Sequence, residues 1–176
     1  MPTGVLFYGP PGTGKTEAAR ALAKETGWQF LPVVGADLVR DPDRLDDVMR
    51  KARNLRPCII FIDEAEDLLR DRANSDATAA TTKLLASMDG AKGRLRDLLF
   101  IAATNYPGGL DPAMLRGGRF SEKIEFELAT PEQVTDYIAT MLTRRGWRTD
   151  GFGVTEFAEY LDGVALADVE AVLQAA

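Results

Sequence analysis

The chain of 176 residues contains no histidine and a single cysteine, Cys58. Without imidazole there is no His-bearing zinc site, no Ser–His–Asp triad and no histidine acid–base chemistry. One thiol cannot build an internal disulfide framework. Its scarcity fits a reducing compartment, so the expected location is cytoplasmic. Long hydrophobic runs are missing too. The longest, residues 58–62 and 98–103, fall far short of a bilayer span, and residues 1–4 lack the basic start of a signal peptide. Repeats and low-complexity tracts are absent. Basic charge does not dominate: 21 Lys and Arg against 27 Asp and Glu leave −6, which argues against a nucleic-acid surface. Any catalysis must come from carboxylates, lysine, arginine, hydroxyls and a bound cofactor.

What is present is ordinary for a folded domain: 45% apolar and 27% charged residues, ample to offset chain entropy. Residues 5–8 form a β-like run that ends in a glycine-rich turn. Residues 16–24 follow as a helix, with Ala18, Ala19, Leu22 and Ala23 on one face and Gly27 as its stop. Residues 28–34 make a second β run. Asp41 and Pro42 read as the N-cap and first residue of a helix bearing Leu45, Val48, Met49 and Ala52. Residues 58–62 and 98–103 are continuously apolar, as strands covered on both faces are. A helix around residues 81–88 lies between them, and residues 123–127 make a short fifth strand.

This alternation predicts an α/β fold with a mainly parallel sheet between helices, its ligands beyond the carboxyl ends of the strands. After Ala129 the pattern turns wholly helical. Thr130-Pro131-Glu132-Gln133 is a capping box, and further helices are expected over residues 155–161 and 167–174. The expected organisation is an α/β core over 1–129 and a helical appendage over 130–176. The last helix carries no stop signal, so the appendage reads as truncated.

Gly9-Pro10-Pro11-Gly12-Thr13-Gly14-Lys15-Thr16 fits G-x-x-x-x-G-K-[ST], with a strand before it and a helix after. Glycines let consecutive backbone N–H groups converge on phosphate oxygens, and the helix adds its positive end. Pro11, Gly12, Thr13, Gly14, Lys15, Thr16 and Glu17 are the expected nucleotide contacts. Lys15 would reach the β- and γ-phosphates, and Thr16 would ligate Mg²⁺. Residues 59–62 are an apolar strand ending in Asp63-Glu64. Asp63 is the expected second magnesium ligand, and Glu64 the base that polarises a water for in-line attack.

These segments, with Ala103-Thr104-Asn105 and the run Leu110-Asp111-Pro112-Ala113-Met114-Leu115-Arg116-Gly117-Gly118-Arg119-Phe120, resemble the AAA+ ATPases. The resemblance is to the AAA proper branch of cell-division-cycle-type unfoldases and AAA proteases. It implies a P-loop NTPase core with a five-stranded parallel sheet, a C-terminal helical lid, and ATP or ADP with Mg²⁺ as cofactors. It also implies a homo-oligomeric ring, a hexamer in most of the family. Asn105 matches the sensor that orients the attacking water. Arg116 and Arg119 match the arginine fingers that reach a neighbouring subunit's nucleotide.

The chain also departs from that pattern. Residues 35–39 pass into Arg40-Asp41-Pro42-Asp43-Arg44 with no aromatic residue where the family grips peptide, so the pore loop reads as shortened. Val34 stands where a polar residue restrains the catalytic glutamate. The lid motif reads Gly163-Val164-Ala165-Leu166-Ala167-Asp168, without the usual serine. The expected activity is ATP hydrolysis that remodels an unidentified protein partner. An ATP-dependent switch or assembly factor that threads nothing is the alternative, and a DNA-linked loader is a third reading that the acidic charge disfavours.

Overall fold

A strand buried on both faces needs no polar alternation, and the two most apolar segments form the middle of the sheet. In the computed structural model β3 (Cys58–Asp63) and β4 (Leu98–Thr104) lie side by side, and residues 58–62 are all buried. The structure describes residues 4–70, 78–89, 97–108, 110–111, 113–115, 119–146 and 153–175. β1 (Gly4–Tyr8), β2 (Gln29–Val34) and β5 (Phe120–Glu125) complete a five-stranded sheet in the order β2-β3-β4-β1-β5. Every pairing is parallel, so all five carboxyl ends share one edge. This is the expected P-loop-type α/β sheet.

The connections are α1 (Lys15–Thr26), α2 (Gly35–Arg40), α3 (Arg44–Asn54), α4 (Glu66–Leu69) and α5 (Thr78–Asp89). α3 buries Leu45, Val48, Met49 and Ala52 along one stripe. These side chains join Leu6, Ile60, Ile62, Phe100 and Phe120 in the core.

Two expectations need correction, and two short helices are added. The helix expected at Pro42 begins at Arg44 with Asp43 as N-cap. Asp41 instead accepts the Asp43 N–H at 3.1 Å, a local turn that competes with helix initiation. The fifth strand lies at 120–125, not 123–127. Its one buried residue is Phe120, at the first position, so no apolar run marks it. α2 and α4 went unanticipated: at six and four residues they are too short for a helical period to register.

By its contacts the chain divides into two units, Met1–Gly9 with Lys15–Glu125, and Pro10–Gly14 with Phe126–Ala176. The second unit carries α6 (Pro131–Arg145), α7 (Val154–Glu159) and α8 (Leu166–Ala175). Its own core contains Val134, Ile138, Leu142, Ala158, Val169 and Leu173. The capping box forms in both directions: the Gln133 N–H donates to Thr130 Oγ1 at 3.3 Å, and the Thr130 N–H donates to Gln133 Oε1 at 3.0 Å. Within the same unit the Ala167 N–H, at the start of α8, donates to the Gly12 carbonyl at 3.2 Å.

Candidate functional site

The sheet order alone gathers the expected chemistry. β1 ends at Tyr8 beside Thr104 of β4, while Ile62 of β3 stands beside Ala102 of β4. Asp63, Asn105 and the chain leaving β1 for the phosphate loop therefore meet at one edge. In that loop Gly9, Gly12 and Gly14 have φ of 138°, 73° and 94°, values side chains resist, so the run of turned amides requires glycine there. A Cβ on Gly12 would also stand 2.9 Å from the Ala165 Cβ. The Thr13 hydroxyl donates to the Pro10 carbonyl at 2.9 Å, tying the loop across its own turn.

Lys15 is the first residue of α1 and is buried. Its Nζ donates to the Gly9 carbonyl at 2.8 Å. Burial pulls the ammonium below its ordinary pKa, against the opposing pull of the Asp63 and Glu66 carboxylates. A cation held dry at a helix N-terminus suits a polyanion that would neutralise it. Glu17 is exposed and stands 3.6 Å from Arg20 in an i,i+3 pair, and Pro11 is exposed on the loop.

Thr16 and Asp63, 47 residues apart in sequence, meet directly: the Thr16 hydroxyl donates to Asp63 Oδ2 at 3.0 Å. Neighbouring ligands of an octahedral magnesium ion stand about 2.9 Å apart, given bonds of about 2.05 Å. The pair therefore fits one edge of such a shell. Among the described residues no group of three or more His, Cys, Asp or Glu side chains could hold a metal. Two protein oxygens completed by water and phosphate is the usual magnesium arrangement.

Glu64 is exposed and has φ 49°, a left-handed turn that non-glycine residues adopt uncommonly. Its N–H donates to Asp63 Oδ1 at 3.0 Å, so both Asp63 oxygens are engaged, one by each neighbour. The Ala65 N–H donates to the Ala103 carbonyl at 2.9 Å, carrying the β3–β4 ladder past the turn. Asn105 is half-buried, and its N–H donates to Glu66 Oε1 at 2.6 Å. Sequence reasoning did not single out Glu66. The signal was a third carboxylate two residues beyond Glu64, but acids are also common in a first helical turn.

Arg119 lies elsewhere. It precedes Phe120, which is registered with Gly4 at the amino end of β1. Its Nε and Nη2 donate to the two Asp89 oxygens at 2.9 and 2.6 Å, and Nη1 donates to the Ala113 carbonyl at 2.7 Å. The hydrogen bonds from Arg119 hold the Asp89 carboxyl below its ordinary pKa. Arg116, with Gly117 and Gly118, lies outside the described residues.

The chain is similar to several proteins of known name. It is 38% identical to the proteasome-activating nucleotidase of Methanococcus maripaludis, over 97% of this chain and 44% of that protein. It is 36% identical to the cell division cycle protein 48 homolog of Archaeoglobus fulgidus, over 99% of this chain and 25% of that protein. With the peroxisomal ATPase PEX6 of Arabidopsis thaliana the identity is 37%, over 81% of this chain and 16% of that protein. The chain thus spans less than half the length of these relatives. The family model described as "ATPase family associated with various cellular activities (AAA)" matches residues 5–128, covering every strand of the sheet, the phosphate loop and the Asp63–Glu64 turn. The chain belongs to that family of ATPases, and so of nucleotide-binding proteins.

Proposed function

We propose that this chain is a magnesium-dependent ATPase module that works as a homo-oligomeric ring, a hexamer, to remodel a protein partner in the cytoplasm. The observation that carries the reading is the contact between Thr16 and Asp63. It joins the phosphate-loop helix to the carboxylate-tipped strand at the spacing an octahedral ion requires. Loop amides and Lys15 bind the triphosphate, and Thr16 and Asp63 would hold the metal. A magnesium ion held by these two side chains would supply positive charge against the charge that develops on the phosphate. Glu64 takes the proton of the attacking water on its carboxylate, and the Asn105 amide orients that water.

The sheet geometry supports the ring. Phe120 pairs with the first residue of β1, whereas the phosphate loop leaves from the last. Four steps along a parallel strand, at about 3.3 Å each, put those ends about 13 Å apart. Arg119 therefore suits the nucleotide of a neighbouring copy better than its own. We assign Arg119, and Arg116 with it, to transition-state charge in trans, where a planar guanidinium is worth most. We take residues 130–176 as the helical lid of the module.

A second reading is favoured by one observation. Only residues 41–43, Asp-Pro-Asp, join α2 to α3, and they offer a peptide no apolar grip. Under that reading the ring is an ATP-dependent switch that pulls on nothing. The test is calorimetry with ATP and ADP in magnesium, followed by turnover with and without an unfolded protein. Uptake of both nucleotides, with Glu64→Gln binding ATP and hydrolysing none, supports the ATPase. Stimulation by the unfolded protein supports remodelling over the switch. Failure to bind either nucleotide overturns both readings.

A further inference from the structure

Glu66 belongs to neither the phosphate loop nor the Asp63–Glu64 pair, yet it makes one of the shortest hydrogen bonds around the site, 2.6 Å from the Asn105 N–H. A carboxylate accepting from a backbone N–H is charge-assisted and stronger than a neutral pair. The bond also sits at a particular place. The β3–β4 ladder continues past the end of β3 through the Ala65 N–H and the Ala103 carbonyl at 2.9 Å. Beyond that rung the chain that formed β3 enters α4 (Glu66–Leu69). There the Glu66 side chain accepts the Asn105 N–H, adding a rung made by a side chain instead of backbone.

We propose that Glu66 is a positioning residue: by accepting the Asn105 N–H it fixes the end of β4 to the turn bearing Asp63 and Glu64. It thereby sets the spacing between the Asn105 amide and the two carboxylates. The inference rests on the ATPase reading for its catalytic consequence but not for its geometry. The same carboxylate is half-buried, and its charge opposes the fall in the Lys15 pKa. Glu64 gains from this most. It immediately precedes the two rungs in a left-handed conformation, φ 49°, which persists only where the surroundings over-determine it. Removing the Glu66 rung leaves the Ala65–Ala103 bond alone to hold the chain just after that turn.

Nothing here requires Glu66 to touch nucleotide. Loss of the bond should therefore lower turnover and leave affinity alone. The experiment compares the wild type with Glu66→Gln, which keeps an acceptor oxygen, and Glu66→Ala, which does not. Two quantities are measured: magnesium-dependent ATP turnover with ADP affinity, and hydrogen exchange at the Asn105 amide in the nucleotide-free protein. In Glu66→Ala, kcat should fall about ten- to a hundredfold with the ADP Kd within about twofold. Asn105 exchange should rise about tenfold or more, from loss of a charged acceptor. Glu66→Gln should hold both within about threefold of wild type, since a neutral acceptor keeps most of the bond.

Unchanged exchange at Asn105 in Glu66→Ala overturns the proposal, as does wild-type kcat in that variant. Equal losses in the Gln and Ala variants overturn it as well, because charge and not the bond would then matter. Thermal melts of the variants separate global unfolding from the local effect, and a folded Glu66→Gln keeps the comparison decisive. A wild type that hydrolyses nothing refutes the ATPase reading, whereas the exchange data still decide whether Glu66 holds the strand end.

Discussion

Gly35→Ala adds one methyl group at the point where the backbone of α2 (Gly35–Arg40) crosses the catalytic turn. Val34 is registered with Asp63, so the next residue on each strand abuts its counterpart. A Cβ on Gly35 would stand 2.5 Å from the Glu64 carbonyl oxygen, about 0.9 Å short of the 3.4 Å at which ordinary contact begins. It would also lie 3.0 Å from the Ala65 Cα. These neighbours are backbone, so no flexible side chain can swing aside. Two effects of opposite sign compete. Alanine is favoured over glycine inside a helix by about 0.5–1 kcal/mol, and less at its first residue. Overpacking a closed contact costs about 1–3 kcal/mol. Overpacking wins, and the variant should lose about 1–2 kcal/mol, or about 2–8 °C in Tm for a chain of this size. The larger effect is on turnover. A shift near 1 Å at Glu64 is enough to lower kcat about a hundredfold, while the ADP Kd stays within about threefold because the phosphate loop is untouched. Steady-state hydrolysis, ADP calorimetry and a thermal melt measure the three quantities. A Gly35→Ala protein with wild-type kcat and Tm would refute the argument, since it would mean that Glu64 tolerates displacement or that α2 yields freely.

Activity per subunit should rise steeply with protein concentration, and Arg119→Ala should lower turnover at least tenfold with nucleotide affinity retained; full turnover at concentrations where light scattering sees only monomers would contradict the trans assignment. Lys15→Met should abolish the Tm shift that ADP produces yet leave the nucleotide-free Tm equal or higher. The sign follows from burial: the folded state holds the Lys15 proton less tightly than the unfolded chain does, so the charge opposes folding at neutral pH. The Asp89–Arg119 pair should show the reverse linkage. Its carboxyl is depressed by Arg119, so its contribution is present above the unfolded carboxyl value of about 3.9 and is lost as pH falls through the lower folded value. The urea stability gap between wild type and Asp89→Asn should therefore close below about pH 4; a gap that persists there would show that the pair acts by shape and not by charge.

The parts of this molecule legible in its sequence are those where physics demands a residue type. β3 and β4 were placed to within one residue because two covered faces require unbroken apolar runs. Thr130 and Gln133 were legible because each satisfies the other's orphan N–H group. The phosphate loop was legible because positive φ at Gly9, Gly12 and Gly14 excludes most side chains. β5 was misplaced because its partner β1 needs only its backbone. Beyond Phe120 its residues are exposed and their chemistry is free to vary.

The same distinction separates the site's visible residues from its hidden ones. Thr16 and Asp63 act through side-chain oxygens of a kind a metal selects, and their spacing from the glycines and the apolar strand announces them. Glu66 and Gly35 act on backbone atoms, the Asn105 N–H and the Glu64 carbonyl. Every residue but proline offers an N–H, and every residue offers a carbonyl, so the partner leaves no trace in the sequence. Only one side of each contact is chemically marked, a carboxylate in one case and a missing Cβ in the other. Each mark has a commoner explanation: an acid in a first helical turn, a glycine where a strand ends. What tells the functional explanation from the common one is the sheet register. Val34 opposite Asp63 forces Gly35 onto Glu64, and the Ala65–Ala103 rung forces Glu66 onto Asn105. Register is a pairing of segments distant in the chain. It emerges only when the strands are laid side by side, so positioning residues become readable after the fold is known, whereas ligand-binding residues are readable before it.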